Sequence, residues 1–147
     1  MKKLWIACVI VFFGMSPVWA QTAVTDTVSA AKSTKIPLIQ YGIASFYDNK
    51  FEGRLTSNGE VFTQKKLTAA SNTLPLNCWV KVTNLSNKRS VILRITDRMH
   101  PKNKRLIDLS RAAASSLSYT GKGLTRVKVE YLGKKKPASL QTDKVNK

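Results

Sequence analysis

The sequence predicts a mostly β domain that closes as a small barrel with one short helix. Three observations predict it: several short segments alternate apolar and polar residues, turn-forming residues separate these segments, and one segment has the features of a helix. Alternation indicates half-buried strands with one face toward a core. Short strands in a domain of under a hundred residues close most economically as a barrel.

Four segments are predicted to be strands, the first as a short run that ends in aromatic residues and the other three because they alternate. They are residues 42–47 (GIASFY), 79–85 (WVKVTNL), 91–95 (VILRI) and 124–131 (LTRVKVEY). Turn-forming residues lie between them at 58–59, 87–88 and 121–123. The helix is predicted to run from Arg111 to about Leu117, with either Asp108 or Ser110 as its N-cap.

The predicted barrel occupies residues 36–133, and both flanking segments lack a core-forming pattern. Residues 21–35 are mainly Thr, Ala, Ser, Val and Lys, without aromatic side chains, and predict a flexible leader. Residues 134–147 read KKKPASLQTDKVNK and predict a basic, disordered tail that is too short for a second domain.

The first twenty residues have the features of a secretory signal peptide. Lys2 and Lys3 precede a mostly apolar run, residues 4–18, and Ala20 supplies a small residue at the cleavage position. The alternative is a membrane-spanning helix, but the run falls short of the ~20 apolar residues that a bilayer requires. We therefore expect cleavage near Ala20 and an exported protein of the periplasm or cell envelope.

The charge of the predicted mature chain indicates anionic partners. Taking Lys2 and Lys3 from the 25 basic side chains leaves 23 against 8 acidic ones, a net charge of +15. Such a field attracts acidic wall polymers or anionic lipid headgroups, at least weakly. Export argues against nucleic acid as the partner, and part of the charge is also expected as solvated surface. The sequence leaves the oligomeric state open.

Cysteine and histidine usage predicts neither a disulfide nor a metal centre. Cys8 lies in the signal region, so Cys78 is the single thiol of the mature chain, and its apolar strand predicts a buried, inert side chain. His100 is the only histidine, and no residues have metal-ligand spacing. We expect no metal and no cofactor.

Two carboxylates are candidates for proton transfer. Asp97 ends the apolar run VILRIT and precedes Arg98, so a structural ion pair is the alternative interpretation. Glu60 follows a turn, where a solvated glutamate is the alternative. If the fold brings the two together, they provide the proton donor and partner that glycosidic-bond cleavage needs. Their spacing alone does not show that they meet.

Six segments together resemble a known family. They are GIASFY, FEGRLTSNGEVF, KLTAASNTLPLNCWVKVTNL, SVILRITDR, KRLIDLSRAAASSL and GLTRVKVEYLG. In this order they resemble the rare lipoprotein A family of septal-ring lytic transglycosylases, over residues 41–133. The resemblance implies a six-stranded double-psi β-barrel and peptidoglycan glycan strands as the substrate. Family members cleave the N-acetylmuramic acid to N-acetylglucosamine bond without water and form a 1,6-anhydro ring.

The resemblance also implies roles for individual residues. It makes Asp97 the general acid/base and Glu60 a partner that hydrogen-bonds to Asp97 or to the sugar. The matching segments place three further side chains along the glycan groove, namely Tyr47, Arg54 and Arg98. For Tyr47 a core-edge aromatic is the alternative interpretation.

The family histidine falls on Ser71 in this chain. Serine cannot carry a proton at neutral pH but can hydrogen-bond to substrate, directly or through a water. His100 is expected to be an exposed loop residue rather than a replacement. These departures keep open a second interpretation, a non-catalytic glycan-binding barrel of the expansin-like type.

Overall fold

The structure, a computed structural model, describes residues 36–140 of the 147-residue chain. The predicted signal peptide (1–20), the predicted leader (21–35) and residues 141–147 of the predicted tail lie outside the described residues.

Six strands and one short α-helix make up the described domain. The strands are β1 (Ile39–Phe46), β2 (Thr68–Ala70), β3 (Trp79–Asn84), β4 (Ser90–Asp97), β5 (Ile107–Leu109) and β6 (Thr125–Gly133), and the helix is α1 (Arg111–Ser116). The strands close in the order β1-β5-β2-β4-β3-β6, with β1·β5 and β2·β4 parallel and the other pairs antiparallel. The predicted small closed barrel with a single short helix is confirmed.

The interior of the barrel is filled by the apolar residues that alternate along its strands. Val80 and Val82 of β3, and Leu93 and Ile95 of β4, are fully buried. Cys78 is also buried, and this burial raises the pKa of its thiol to about 11, as expected for an inert side chain. The alternating apolar residues of the predicted strands therefore form the inner face of the barrel, because successive side chains of a strand point to opposite faces.

β2 and β5 are not predicted by the sequence pattern, because each has three residues and cannot show a period. All three residues of β2 are buried, and the strand lies between β4 and β5. β5 pairs with β1 on one side and with β2 on the other. These two short strands make the parallel pairings that bring the ends of β1, β4 and β5 to one place.

Ser110, one of the two predicted caps, begins helix α1. Its hydroxyl accepts a hydrogen bond from the backbone N–H of Ala113 at 3.3 Å. Asp108, the other candidate, is instead engaged by Arg105, whose Nε lies 2.7 Å from its Oδ1. The helix is anchored to the barrel because Ala113 and Ala114 are buried.

The first part of the predicted tail contains a 3₁₀ turn, Ala138–Leu140, where the sequence pattern predicts no regular structure. Leu140 lies beside Leu67 and Trp79 on the outside of the barrel.

No helix within residues 36–140 is long and apolar enough to cross a membrane.

Gly42 of β1 is required by a close approach to Leu106. A Cβ at this position would lie 2.6 Å from the Leu106 Cβ, whose backbone N–H donates to the Ile43 carbonyl at 3.0 Å. Gly42→Ala should therefore lower the free energy of unfolding by about 1–3 kcal/mol. Urea denaturation measures this, with Gly121→Ala as the control because a Cβ there meets nothing within 4 Å. Equal losses in the two variants would contradict the packing described.

Candidate active site

A cleft of about 510 Å³ opens where β4 ends. Its aromatic wall comes from the end of β1 and the turn that follows, with Phe46, Tyr47 and Phe51. The opposite walls come from residues 97–100 and from side chains within residues 103–108. The cleft therefore combines an apolar surface with polar groups, as is usual in sites that bind small or extended ligands.

Strand register places two carboxylates in one row across this cleft. Asp97 of β4 lies opposite Ala70 of β2, and Ala70 lies opposite Asp108 of β5. Because neighbouring strands are about 4.8 Å apart, the backbones of the two acidic residues are roughly 10 Å apart.

The two carboxyl oxygens of Asp97 have different environments. Oδ1 accepts three hydrogen bonds, from the Ser57 backbone N–H at 2.9 Å, the Ser57 hydroxyl at 2.6 Å and the Arg98 backbone N–H at 2.8 Å. Oδ2 accepts one, from the Tyr47 hydroxyl at 2.9 Å. Since Oδ1 is saturated, Oδ2 is the oxygen that can bind or release a proton in the cleft.

Opposing influences act on the pKa of Asp97. Burial, the largest influence, raises it, but the hydrogen bonds from Ser57, the Arg98 N–H and Tyr47 together outweigh burial and hold the pKa below its usual value. In the free protein at neutral pH, Asp97 is therefore a carboxylate.

Ser57→Ala should raise the pKa of Asp97, because it removes a donor that stabilises the ionised form. In the folded protein the lowered pKa contributes stability above the pKa of the unfolded state, and this contribution is lost as pH falls through the folded pKa. The variant should therefore also lose about 1 kcal/mol of unfolding free energy at neutral pH and less at acidic pH. Carbon-13 NMR titration of the Asp97 carboxyl measures the shift, and Ser86→Ala, in the distant β3–β4 turn, is the control. An unchanged or lower pKa would contradict the geometry.

Tyr47 is held as a hydrogen-bond donor toward Asp97. Its ring packs against Phe62 at 4.5 Å and against Phe51 at 5.5 Å between ring centroids. Burial and the neighbouring Asp97 carboxylate raise the pKa of Tyr47 above its ordinary value, so its hydroxyl stays protonated. Tyr47 therefore lines the cleft and also packs at the edge of the core, so both sequence interpretations describe part of its position.

Glu60 does not meet Asp97. Its two carboxyl oxygens each lie 2.6 Å from Nη2 of Arg94, and Oε1 also accepts from the Asn58 amide at 3.2 Å. Asn58 in turn accepts from the Glu60 backbone N–H at 3.1 Å. The resemblance implies Asp97 or the sugar as the partner of Glu60, but in the structure Arg94 binds the Glu60 carboxylate. Through Asn58, Glu60 also fixes the loop that carries Ser57.

Arg98 and Arg54 lie near the cleft in different ways. The guanidinium of Arg98 donates to the Ser71 carbonyl at 2.6 Å, so the structural Arg98–Asp97 ion pair considered from the sequence does not form, and Arg98 reaches Asp97 through its backbone N–H. The guanidinium of Arg54 lies 5.4 Å from the ring centroid of Phe51, one of the residues that line the cleft.

Ser71, expected to line the cleft, has a fully buried side chain. Its hydroxyl donates to the Leu106 carbonyl at 3.0 Å, so in this arrangement it offers no surface to a ligand. The reason is its place directly after β2, beneath the segment that leads into β5. His100 is exposed, as expected, but it also lines the cleft, and its Nδ1 accepts from the Lys102 backbone N–H at 3.2 Å.

Sequence reasoning missed Ser57, Arg105 and the cleft position of Asp108. Arg105 donates two hydrogen bonds to the Asp108 carboxylate, through Nε and Nη2, and the Asn103 amide donates a third at 3.2 Å. From the sequence, Asp108 is one of the carboxylates of the predicted core and a candidate helix cap, but no place in the cleft is predicted for it. The available signal was its position within IDLS, in the segment KRLIDLSRAAASSL that resembles the family, and in the structure it is the middle residue of β5.

Comparison with known proteins gives the family. The sequence matches the family described as "Lytic transglycolase" over residues 39–129. The endolytic peptidoglycan transglycosylase RlpA of Haemophilus influenzae is 46% identical over 112 residues, which cover 76% of this chain and 38% of that protein. RlpA of Rickettsia bellii is 48% identical over 109 residues, with coverage of 72% and 48%. The chain spans less than half the length of these curated relatives.

Solved structures share the fold at low sequence identity. The Streptomyces papain inhibitor has a TM-score of 0.54 at 20% identity, over 66% of this chain and 96% of that one. An apo expansin of Clavibacter michiganensis has a TM-score of 0.54 at 17% identity, over 68% and 52%. Because the family match runs from β1 into β6, the chain belongs to the lytic transglycolase family, and its closed six-stranded barrel is the double-psi β-barrel of that family.

Proposed function

We propose that this chain is a peptidoglycan lytic transglycosylase that cleaves the bond between N-acetylmuramic acid and N-acetylglucosamine and leaves a 1,6-anhydro product. The observation that carries the proposal is Asp97, which lines a preformed cleft with Oδ1 fixed by three donors and Oδ2 bonded by one, the Tyr47 hydroxyl. The names of both relatives, endolytic peptidoglycan transglycosylase, support the reaction class.

The proposed reaction needs one carboxyl group that acts twice. Protonated at Oδ2, Asp97 gives its proton to the glycosidic oxygen as the bond to C1 of the muramic residue breaks. The resulting carboxylate then takes the proton of the 6-hydroxyl as that oxygen bonds to C1. The anhydro ring closes, Asp97 is protonated again, and no water is consumed.

Substrate binding would favour the protonated form of Asp97. Burial is already the largest influence on the pKa of Asp97 and acts to raise it, while the hydrogen bonds oppose it. A sugar ring over Oδ2 excludes solvent on that side and adds to the burial without removing the donors at Oδ1. Tyr47 keeps its proton and fixes the carboxyl plane.

Glu60 is proposed to position Asp97 rather than to exchange protons with it. It holds Asn58 and Arg94, and Asn58 is the neighbour of Ser57, the residue that donates twice to Asp97. Tyr47, Arg54 and Arg98 are proposed to line the glycan path near the cleft. Ser71 contributes through its carbonyl, which holds Arg98.

Export to the periplasm or cell envelope is part of the proposal, since its polymer substrate lies outside the inner membrane. It depends on the predicted signal peptide. The amino-terminal sequence of the protein recovered from cells tests it, with Gln21 as the expected first residue.

A non-catalytic glycan-binding barrel is the second candidate. It is favoured by the lowered pKa of Asp97, which disfavours the acid form, and by serine at the family's histidine position. This candidate predicts binding to peptidoglycan sacculi that is unchanged in Asp97→Asn, with no product formed.

Muropeptide analysis separates the two candidates. The purified chain is incubated with intact sacculi and, separately, with sacculi stripped of peptides, and soluble products are identified by mass. The proposal predicts 1,6-anhydro ends from at least one substrate. Binding without any anhydro product from either substrate would overturn it in favour of the binding module.

A further inference from the structure

The turn that follows β4 carries His100, the one histidine of the chain, into the Asp97 cleft. The His100 side chain is exposed and lies on the wall formed by residues 97–100, three residues after Asp97. The proposed reaction uses neither of its ring nitrogens. His100 is therefore a polar group of the cleft whose role is still unassigned.

The backbone around His100 is fixed by hydrogen bonds. The Asn103 N–H donates to the His100 carbonyl at 2.8 Å and closes a tight turn, in which Pro101 occupies the second position, where proline is favoured. Just before the turn, the Met99 side chain is buried and the Met99 N–H donates to the Asn72 side chain at 2.9 Å. The loop therefore presents His100 from a defined position.

The imidazole of His100 is held in one tautomer. Its Nδ1 accepts a hydrogen bond from the Lys102 backbone N–H at 3.2 Å. A ring nitrogen that accepts a hydrogen bond carries no proton, so in the neutral ring the proton lies on Nε2. Within residues 36–140, Nε2 has no hydrogen-bond partner, and neutral His100 therefore offers an N–H donor to a ligand.

The other side-chain donors of the cleft are already engaged. Four further lining side chains have N–H or O–H groups, and each donates to a protein acceptor; they are Tyr47, Arg98, Asn103 and Arg105. The remaining polar side chains of this wall set are carboxylates, which accept hydrogen bonds when ionised; they are Asp48, Asp97 and Asp108. Among the described residues that line the cleft, His100 is thus the side chain whose donor has no protein acceptor.

An N-acetylated sugar has a group that requires such a donor. Sugar hydroxyls can donate to the carboxylates of the cleft, whereas the carbonyl oxygen of an N-acetyl group can only accept. A sugar ring that packs against the aromatic side chains of Phe46, Tyr47 and Phe51 directs its edge substituents toward the opposite wall, where His100 lies. The Nε2–H of His100 is therefore matched to an N-acetyl carbonyl.

We propose that His100 is a substrate-binding residue of the Asp97 cleft, and that its Nε2–H donates a hydrogen bond to the N-acetyl carbonyl of a bound sugar. This contact selects N-acetylated sugars over sugars that have a hydroxyl at the same place. The inference rests on the proposed function for the identity of the polymer, but its test measures binding and requires no cleavage.

Two substitutions separate the Nε2 donor from the turn. His100→Asn keeps a side-chain acceptor for the Lys102 N–H, because asparagine bonds readily to the backbone two residues on, but it has no group at the position of Nε2. His100→Gln places an amide N–H₂ near that position. With Asp97→Asn added to prevent turnover, each variant is titrated calorimetrically with chitin oligosaccharides, which have N-acetyl groups and no charge.

His100→Asn should weaken binding of chitin oligosaccharides about two- to tenfold, the effect of one neutral hydrogen bond, and His100→Gln should recover most of the loss. Cello-oligosaccharides of the same length have a hydroxyl in place of each N-acetyl group. They should bind more weakly than chitin oligosaccharides, and His100→Asn should not weaken them further. Lys102→Ala is the matched control, because it removes an exposed side chain of the same turn and keeps the backbone N–H. It should bind both ligands as the Asp97→Asn protein does.

The single histidine also gives a direct signal. In a chain without a histidine tag, ¹⁵N-labelled histidine reports on His100 alone. When the ring is neutral, NMR should show the proton on Nε2 and none on Nδ1. The Nε2 resonance should shift as chitin oligosaccharides bind.

Four results would overturn the inference. They are no binding of chitin oligosaccharides, an affinity that His100→Asn leaves unchanged, equal losses in His100→Asn and either His100→Gln or Lys102→Ala, and an Nε2 resonance that does not move at saturation. The proposed function is judged separately, by anhydro product from sacculi. If no product forms while His100→Asn weakens binding and His100→Gln restores it, the proposed function fails and this inference stands.

Discussion

Asp97→Asn should lower the rate of 1,6-anhydro product release by about 10²- to 10⁴-fold, because asparagine can neither give a proton to the glycosidic oxygen nor accept one from the 6-hydroxyl. The amide is nearly the same size as the carboxyl, so the cleft should keep its shape. Product release from sacculi, measured under conditions where substrate is saturating, gives the effect on the chemical step.

Asp48→Asn is the matched control for this result. Asp48 lines the same cleft, and its carboxylate caps the turn that follows β1 by accepting from the Lys50 backbone N–H at 2.9 Å. Asparagine can make the same cap, so this variant should retain most of the activity. Equal activity of Asp97→Asn and the unmodified chain would remove Asp97 from the mechanism.

Leu93→Ala should lower the free energy of unfolding by about 2–5 kcal/mol, the largest effect on stability that we expect from a single substitution here. Leu93 is fully buried in the middle of β4, the strand that ends at Asp97. Removing its side chain leaves a cavity that the closed barrel can fill only in part.

Ile92→Ala is the control for the packing of β4. Ile92 is the neighbour of Leu93, but its side chain is only half-buried and lies on the outside of the barrel. The Ile92→Ala variant should lose clearly less unfolding free energy than Leu93→Ala when both are measured by urea or thermal denaturation. A loss equal to that of Leu93→Ala would contradict the inward and outward faces assigned to β4.

The sequence pattern predicts the longer strands and not the way they are joined. β3, β4 and β6 have alternating apolar residues because one face of each strand fills the barrel. β2 and β5 have three residues each, too few for a period, yet they make the parallel pairs. The double-psi topology was accessible only through the resemblance, since long-range pairing leaves no local signal.

The site was predictable to a similar extent. Asp97 was identified from its place after an apolar strand and from the family motif, and the structure places it in a cleft. The residues that donate hydrogen bonds to Asp97 were not identified from the sequence. Ser57 lies 40 residues away from Asp97, and nothing in SNGE indicates that its serine contacts β4. The resemblance implies either Asp97 or the sugar as the partner of Glu60, and spacing could not reveal that Arg94, 34 residues later, would bind its carboxylate.

The proposed cleavage of glycan by Asp97 without water is tested most directly by the fate of oxygen from solvent. Peptidoglycan is digested by the chain in water enriched in ¹⁸O, and the new ends are examined by mass spectrometry. We expect 1,6-anhydro ends that contain no ¹⁸O and that are missing with Asp97→Asn. Reducing ends that carry ¹⁸O would show hydrolysis and contradict it.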